Sequence, residues 1–272
     1  MSHRPLRLAV ILARGLGTRL RAADAGEALD ARQERMAAQG LKAMMPFARP
    51  FLDYQLSRLA DAGFRRACLV IGPEHTAVRE HYRRHPTRRL ALEFAEQAEP
   101  HGTADAVLAA ERICGGDEFA VLNGDNLYPS AALDSLQGLG GSGLVAFEPA
   151  GLVAGGNIPP SRLRAFALVA VDSSGTLAAI VEKPDEAAAR ALGDDALVSM
   201  GCWRFAPSIF SACRAVAPSP RGELELPDAV RLASAAGVRF GVARCAAPVL
   251  DLARREDVPA IAERLVGERV DP

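Results

Sequence analysis

The 272-residue chain balances 32 basic against 33 acidic side chains and is 49% hydrophobic, long enough to bury a full α/β core in one domain. Near-zero net charge and an aromatic content of 5% argue against a nucleic-acid partner. No apolar run reaches the length of a membrane span or of a secretory leader, and the five scattered cysteines lack metal-ligand or redox spacing, so a reduced, cytoplasmic setting is expected.

In chain order, Leu6–Ala13 reads as a buried strand. Asp53–Ala62 reads as a helix stopped by Gly63. Ala67–Gly72 is a second strand, His75–Arg84 a helix and Leu90–Gln97 a third strand. Thr103–Ile113 reads as a helix with Thr103 as its N-cap, and Phe119–Leu122 as a fourth strand. This βαβα order implies a mostly parallel sheet, Rossmann-like, with helices on both faces. The second half is richer in strands: Gly143–Phe147, Phe166–Val171, Leu177–Val181 and Leu197–Phe205, with helices over 207–216, 227–236 and 257–265. These read as antiparallel additions to one mixed sheet, so residues 1–272 are expected to form a single domain. Residues 21–41 suggest a polar helical insertion, and residues 149–161 ("PAGLVAGGNIPPS") a lid loop.

Several strand ends carry chemistry. "LARGLGTRL" follows the first strand, and Gly15 and Gly17 let main-chain N–H groups approach an anion, while Arg19 offers a fork of donors. A dinucleotide fingerprint needs a third glycine where Leu20 stands. "LNGDN" puts Asp125 at a strand end, a position suited to Mg²⁺, and Asp251 follows another apolar run. Gln97 in "EQAEPHGTADA" has both a donor and an acceptor for a base edge. "VEKP" places Glu182 and Lys183 at a further strand end. Taken singly, each is equally well a turn, a connection or a solvated strand end.

The order of these pieces resembles the sugar-1-phosphate nucleotidylyltransferases, and the resemblance runs from Leu8 to about Val258. It implies the nucleotide-diphospho-sugar transferase fold and one-step transfer of a nucleotidyl group from an NTP to a sugar 1-phosphate, with release of pyrophosphate. By this resemblance Mg²⁺ sits on Asp125 and Asp251. Arg19 holds the leaving pyrophosphate, Lys42 the α-phosphate region and Lys183 the sugar phosphate. Ala13, Gly15, Gly17, Thr18, Gln97, Gly102 and Thr103 border the nucleotide, with Gln97 and Gly102 reading the base. Asn123, Ala167, Glu182 and Trp203 border the sugar. The Gln-x-x-x-x-Gly-Thr pattern favours UTP or dTTP. Members of the family are commonly homo-oligomers. The chain departs from the family's pattern in three places. Arg14 replaces the first of two adjacent glycines, the gap from Arg19 to Lys42 is long, and Ala167 stands where a glycine is usual. These keep two alternatives open: a non-catalytic sugar-nucleotide-binding regulatory protein, and a transferase acting on a non-sugar phosphate.

Overall fold

The first apolar run forms a strand, β1 (Leu8–Leu12). Leu8 and Val10 point into one hydrophobic cluster, Ala9 and Ile11 into another, and all four are buried. Burial on both faces suits a central parallel strand. Full burial of Val10 and Ile11 contributes roughly 1.5–3 kcal/mol for each side chain.

The computed structural model describes residues 4–15, 17–22 and 29–272. Its further strands are β2 (Arg66–Ile71), β3 (Ala91–Glu96), β4 (Phe119–Asn123), β5 (Asn126–Leu127), β6 (Gly143–Phe147), β7 (Ala167–Val171), β8 (Leu177–Val181), β9 (Leu197–Phe205), β10 (Gly241–Cys245) and β11 (Leu250–Asp251). β1 pairs in parallel with β2 and β4, and β2 with β3. β9 enters antiparallel between β4 and β6, and β10 runs parallel to β6 at the edge. β7 pairs antiparallel with β9, and β8 with β7. The nine-stranded sheet is thus mixed and mostly parallel in its first half, with antiparallel additions in its second, as expected. β5 and β11 form a separate short antiparallel ribbon. From β1 the chain winds outward to β2 and β3, then returns to β4 on the other side of β1. Strand order reverses there, so a crevice opens at the carboxyl ends of β1 and β4.

The insertion carries a helix, Ala31–Gln39, while residues 23–28 of the same segment lie outside the described residues. Asp30 caps the helix in a reciprocal box with Gln33. Ala37 is buried in a third cluster with Leu20, Met45 and Leu252, and Arg255 donates to Glu34 at 2.6 Å. The insertion is therefore fastened to the ribbon side of the body.

The expected lid loop at 149–161 is a correction. Pro149–Gly155 is a helix with Pro149 in its first turn, and residues 160–165 form a 3-10 turn. The glycines here serve close packing: a Cβ on Gly151 would run into the Ala246 carbonyl. The five cysteines are all free and buried, and burial pushes the thiols of Cys68, Cys114 and Cys213 up to about 12.

Candidate active site

The loop after β1 opens onto a cavity of about 480 Å³ at the carboxyl ends of β1 and β4. Ala13, Gly15, Gly17, Thr18 and Arg19 line it. Gly17 has φ 59°, and a Cβ there would lie 2.6 Å from the Cα of Gly40. Only glycine lets the end of the insertion close onto this loop. That contact explains how the long gap is tolerated. The chain leaves the loop, forms the insertion and returns at Gly40, two residues before Lys42. Lys42 lines the same cavity, and its Nζ lies 2.9 Å from Asp125 Oδ2. Burial would lower the lysine's pKa, but the Asp125 carboxylate outweighs it and holds the ammonium above its ordinary value.

β4 delivers Asn123 and Asp125 to the opposite wall. Gln55 Nε2 donates to the Asn123 carbonyl at 3.0 Å, and the Asn123 N–H donates to the Tyr128 hydroxyl at 3.1 Å. That hydroxyl in turn donates to the Met200 carbonyl at 2.7 Å, so the strand end is pinned from both sides. The ribbon then places Asp251 opposite Asn126, and Leu252 N–H donates to the Asp125 carbonyl at 2.8 Å.

The two carboxylates differ in access. Asp125 is 31% exposed and faces the cavity. Asp251 is buried, with its Oδ1 accepting from Asn126 Nδ2 at 2.9 Å and its Oδ2 held by Arg162. Arg162 Nη1 also donates to Asp257 Oδ1 at 2.7 Å. Burial and the neighbouring Asp125 push the Asp251 carboxyl up to about 6, with Arg162 opposing. Among the described residues no group of three or more acidic, histidine or cysteine side chains is placed to hold a metal ion by itself. The donor set therefore fits a cation that arrives with phosphates, and not an all-protein cage. Asp125 faces the cavity with Oδ2 on Lys42, which leaves Oδ1 for such an ion. Asp251 has one oxygen taken by Arg162, so Oδ1 alone remains on the Asn126 side.

Gln97 lies at the end of β3 and is buried. Its Nε2 donates to the Gly102 carbonyl at 3.0 Å and to Asp105 Oδ2 at 2.7 Å. Both partners can only accept, which fixes which end of the amide is nitrogen. Thr103 corrects the capping expectation. Gly102, with φ 128°, is the N-cap, and the Thr103 hydroxyl accepts from Leu226 N at 2.8 Å. Thr103 thus ties its helix to the Leu226–Ala235 helix.

A second cavity, of about 130 Å³, shares Leu12, Thr103 and Asn123 with the first. Ala167, Glu182, Trp203 and Glu225 line it. Trp203 is buried and stacks on Phe205 at 5.5 Å, so it serves as a rigid wall. Burial raises both carboxyls, and Arg221 reaches both, ion-paired to Glu225 and 3.9 Å from Glu182. Lys183 lines the first cavity on a left-handed backbone with φ 44°, and its Nζ lies 3.6 Å from Glu182 Oε1, so the pair bridges the two spaces.

Sequence reading missed Arg162, Asp257, Asn126 and Arg221. Arg162, Asp257 and Asn126 reach the site through partners about a hundred positions away, and Arg221 pairs locally with Glu225 but gains its place at the site from Glu182, so none stands in a recognisable motif. One signal was available. The chain contains only two lysines, Lys42 and Lys183, among 32 basic residues, and both line the larger cavity.

Residues 8–243 match the family model described as nucleotidyl transferase. A UTP–glucose-1-phosphate uridylyltransferase of Haloferax volcanii is 28% identical, over 96% of this chain and 97% of its own. A glucose-1-phosphate thymidylyltransferase of Streptomyces antibioticus is 31% identical over 82% of this chain, which spans only 56% of that longer relative. A UDP-glucose pyrophosphorylase crystallised with UDP-glucose superposes with a TM-score of 0.75 over 97% of this chain and 100% of its own, at 18% identity. With the fold, the crevice at β1 and β4 and the family match in agreement, the chain is an enzyme of the nucleotidyl transferase family.

Proposed function

We propose that the protein transfers a uridylyl or thymidylyl group from UTP or dTTP to a sugar 1-phosphate, with Mg²⁺, releasing pyrophosphate. The observation that carries this is the pair of adjoining cavities that share Leu12, Thr103 and Asn123 as walls, with Asp125 and both lysines at the larger one and Glu182 and Glu225 in the smaller. The smaller space offers carboxylate acceptors, which suit the hydroxyls of a sugar. Five buried free thiols suit a reducing compartment, and we place the reaction in the cytoplasm.

The acceptor's phosphate oxygen is already an anion, so no side chain need remove a proton. Lys183 meets that phosphate at the junction with the smaller cavity. Lys42 and Arg19 offset the charge of the triphosphate, which lets two anions approach in line. The acceptor oxygen bonds the α-phosphorus as the bond to pyrophosphate breaks. Asp125, with Asp251 beside it, would hold Mg²⁺, which would supply further neutralisation of the phosphates' charge. With both Nε2 hydrogens engaged, Gln97 keeps an accepting Oε1 for the base. Uracil and thymine carry an N3–H to match it, whereas cytosine N3 is itself an acceptor.

The test is pyrophosphate release over four NTPs and a panel of sugar 1-phosphates, with inositol 1-phosphate as a non-sugar acceptor. Release is expected with UTP or dTTP and a sugar 1-phosphate, lowered by about 10²-fold or more in Asp125→Ala. Tight NTP binding without release from any pair would instead favour a regulatory binding protein.

A further inference from the structure

Arg14 has a built seat that the proposed reaction does not explain. It leaves the β1 loop with an ordinary backbone, since Lys183 is the single non-glycine with positive φ among the described residues. Its side chain is 7% exposed and crosses toward the ends of β2 and β3. Nη1 donates to the Gln97 carbonyl, and Nε and Nη2 each lie 3.4 Å from an oxygen of Glu74. Gly72, just past β2, leaves the space: a Cβ there would lie 2.5 Å from Arg14 Nε and would also meet the Glu74 carboxylate. A side chain with this many fixed partners is not a free phosphate ligand.

The residue it grips is Gln97. The Gln97 N–H donates to the Ile71 carbonyl at 3.0 Å, and Arg14 takes the Gln97 carbonyl. Main chain and side-chain nitrogen are therefore all fixed, and Oε1 is the one polar atom of Gln97 without a hydrogen bond among the described residues, in a side chain that lines the cavity together with Pro100 and Gly102.

We infer that Arg14 is a positioning residue for base selection, holding Gln97 so that its amide presents an acceptor and favours bases with an N–H at that edge. The inference rests on the reading of the cavity as an NTP site. Without Arg14, Gln97 could tilt its amide, and an acceptor-bearing base such as cytosine would be penalised less.

The test is calorimetric binding of UTP, dTTP and CTP in Mg²⁺ buffer, with thermal unfolding of each variant as a check on folding. Wild type is expected to prefer UTP and dTTP over CTP. Arg14→Gly should still bind NTPs but lose about tenfold of that preference, the worth of one oriented hydrogen bond. Gly72→Ala should do the same by pushing the guanidinium off its seat from behind. Arg14→Lys, which can still donate to the Gln97 carbonyl, should restore part of the preference. A merely structural role would weaken all three nucleotides equally, and an unchanged ratio in both Arg14→Gly and Gly72→Ala overturns the inference. Wild type that binds UTP and CTP alike overturns it too. Wild type that binds no NTP overturns the functional reading beneath it.

Discussion

Lys183 carries a local conflict between backbone and charge. Its φ of 44° lies in the left-handed region, which costs a residue with a Cβ roughly 1–2 kcal/mol. The turn lets Lys183 line the larger cavity while Glu182, one residue earlier, lines the smaller one, with the two charged ends 3.6 Å apart. Glycine would remove the strain and the charge together, and alanine only the charge. Lys183→Gly should therefore unfold at a higher temperature than Lys183→Ala, by about 1 kcal/mol of stability. Both should raise the KM for the sugar 1-phosphate while leaving NTP affinity nearly unchanged. Thermal melts and initial-rate kinetics on the two variants decide it. An alanine variant as stable as the glycine one would mean that the backbone is not strained there.

The stretch from Asn157 to Ala165 shows the same logic over a whole element. Asn157 pairs with the Asp251 main chain in both directions, accepting from its N–H at 2.9 Å and donating to its carbonyl at 2.8 Å. Five residues on, Arg162 enters between Asp251 and Asp257. Asp257 is itself tied to the backbone N–H groups of Ala253 and Arg254, at 2.9 and 2.7 Å. One turn thus fixes both the backbone and one oxygen of a carboxylate beside Asp125. Its glycines and prolines suggest a mobile lid, whereas their physical use is close packing and a preset first turn. Arg162→Met would leave two buried carboxylates without their cation and should cost about 3–5 kcal/mol in urea unfolding. Adding Asp257→Asn should recover part of that loss, because one of the two unpaired charges is then removed. Strictly additive losses in the double variant would show that the three side chains are not one network.

Across the whole molecule, what could be read from sequence was local and periodic. β6, β8 and β9 fall on their expected bounds, and β1 to β4 differ by only a residue or two, because long apolar or alternating runs set them. β5 and β10 escaped notice, and β11 is legible only as a strand end at Asp251, with no bounds. β5 and β11 are two residues long, and "GVARC" has no strong alternation. Ala13, Gly15, Gly17, Gln97, Asn123 and Asp125 could be found because they follow strands in order. The Arg14 seat and the Arg162 network could not, since each joins residues more than fifty positions apart. The two lysines link both kinds of information. In a chain that otherwise uses arginine for positive charge, a compact ammonium survives only at the larger cavity. An amine-directed acylating reagent therefore has just two side-chain targets, besides the terminal amine. Lys183 is 36% exposed and Lys42 18%, and the Asp125 contact holds Lys42 in its protonated, unreactive form. Peptide mass mapping over time should show Lys183 modified first and Lys42 slowly. UTP with Mg²⁺ should protect Lys42, and a sugar 1-phosphate added to it should protect Lys183 as well. Modification of both lysines at the same rate with and without substrates would place the phosphates elsewhere, and the assignment of this cavity would fall.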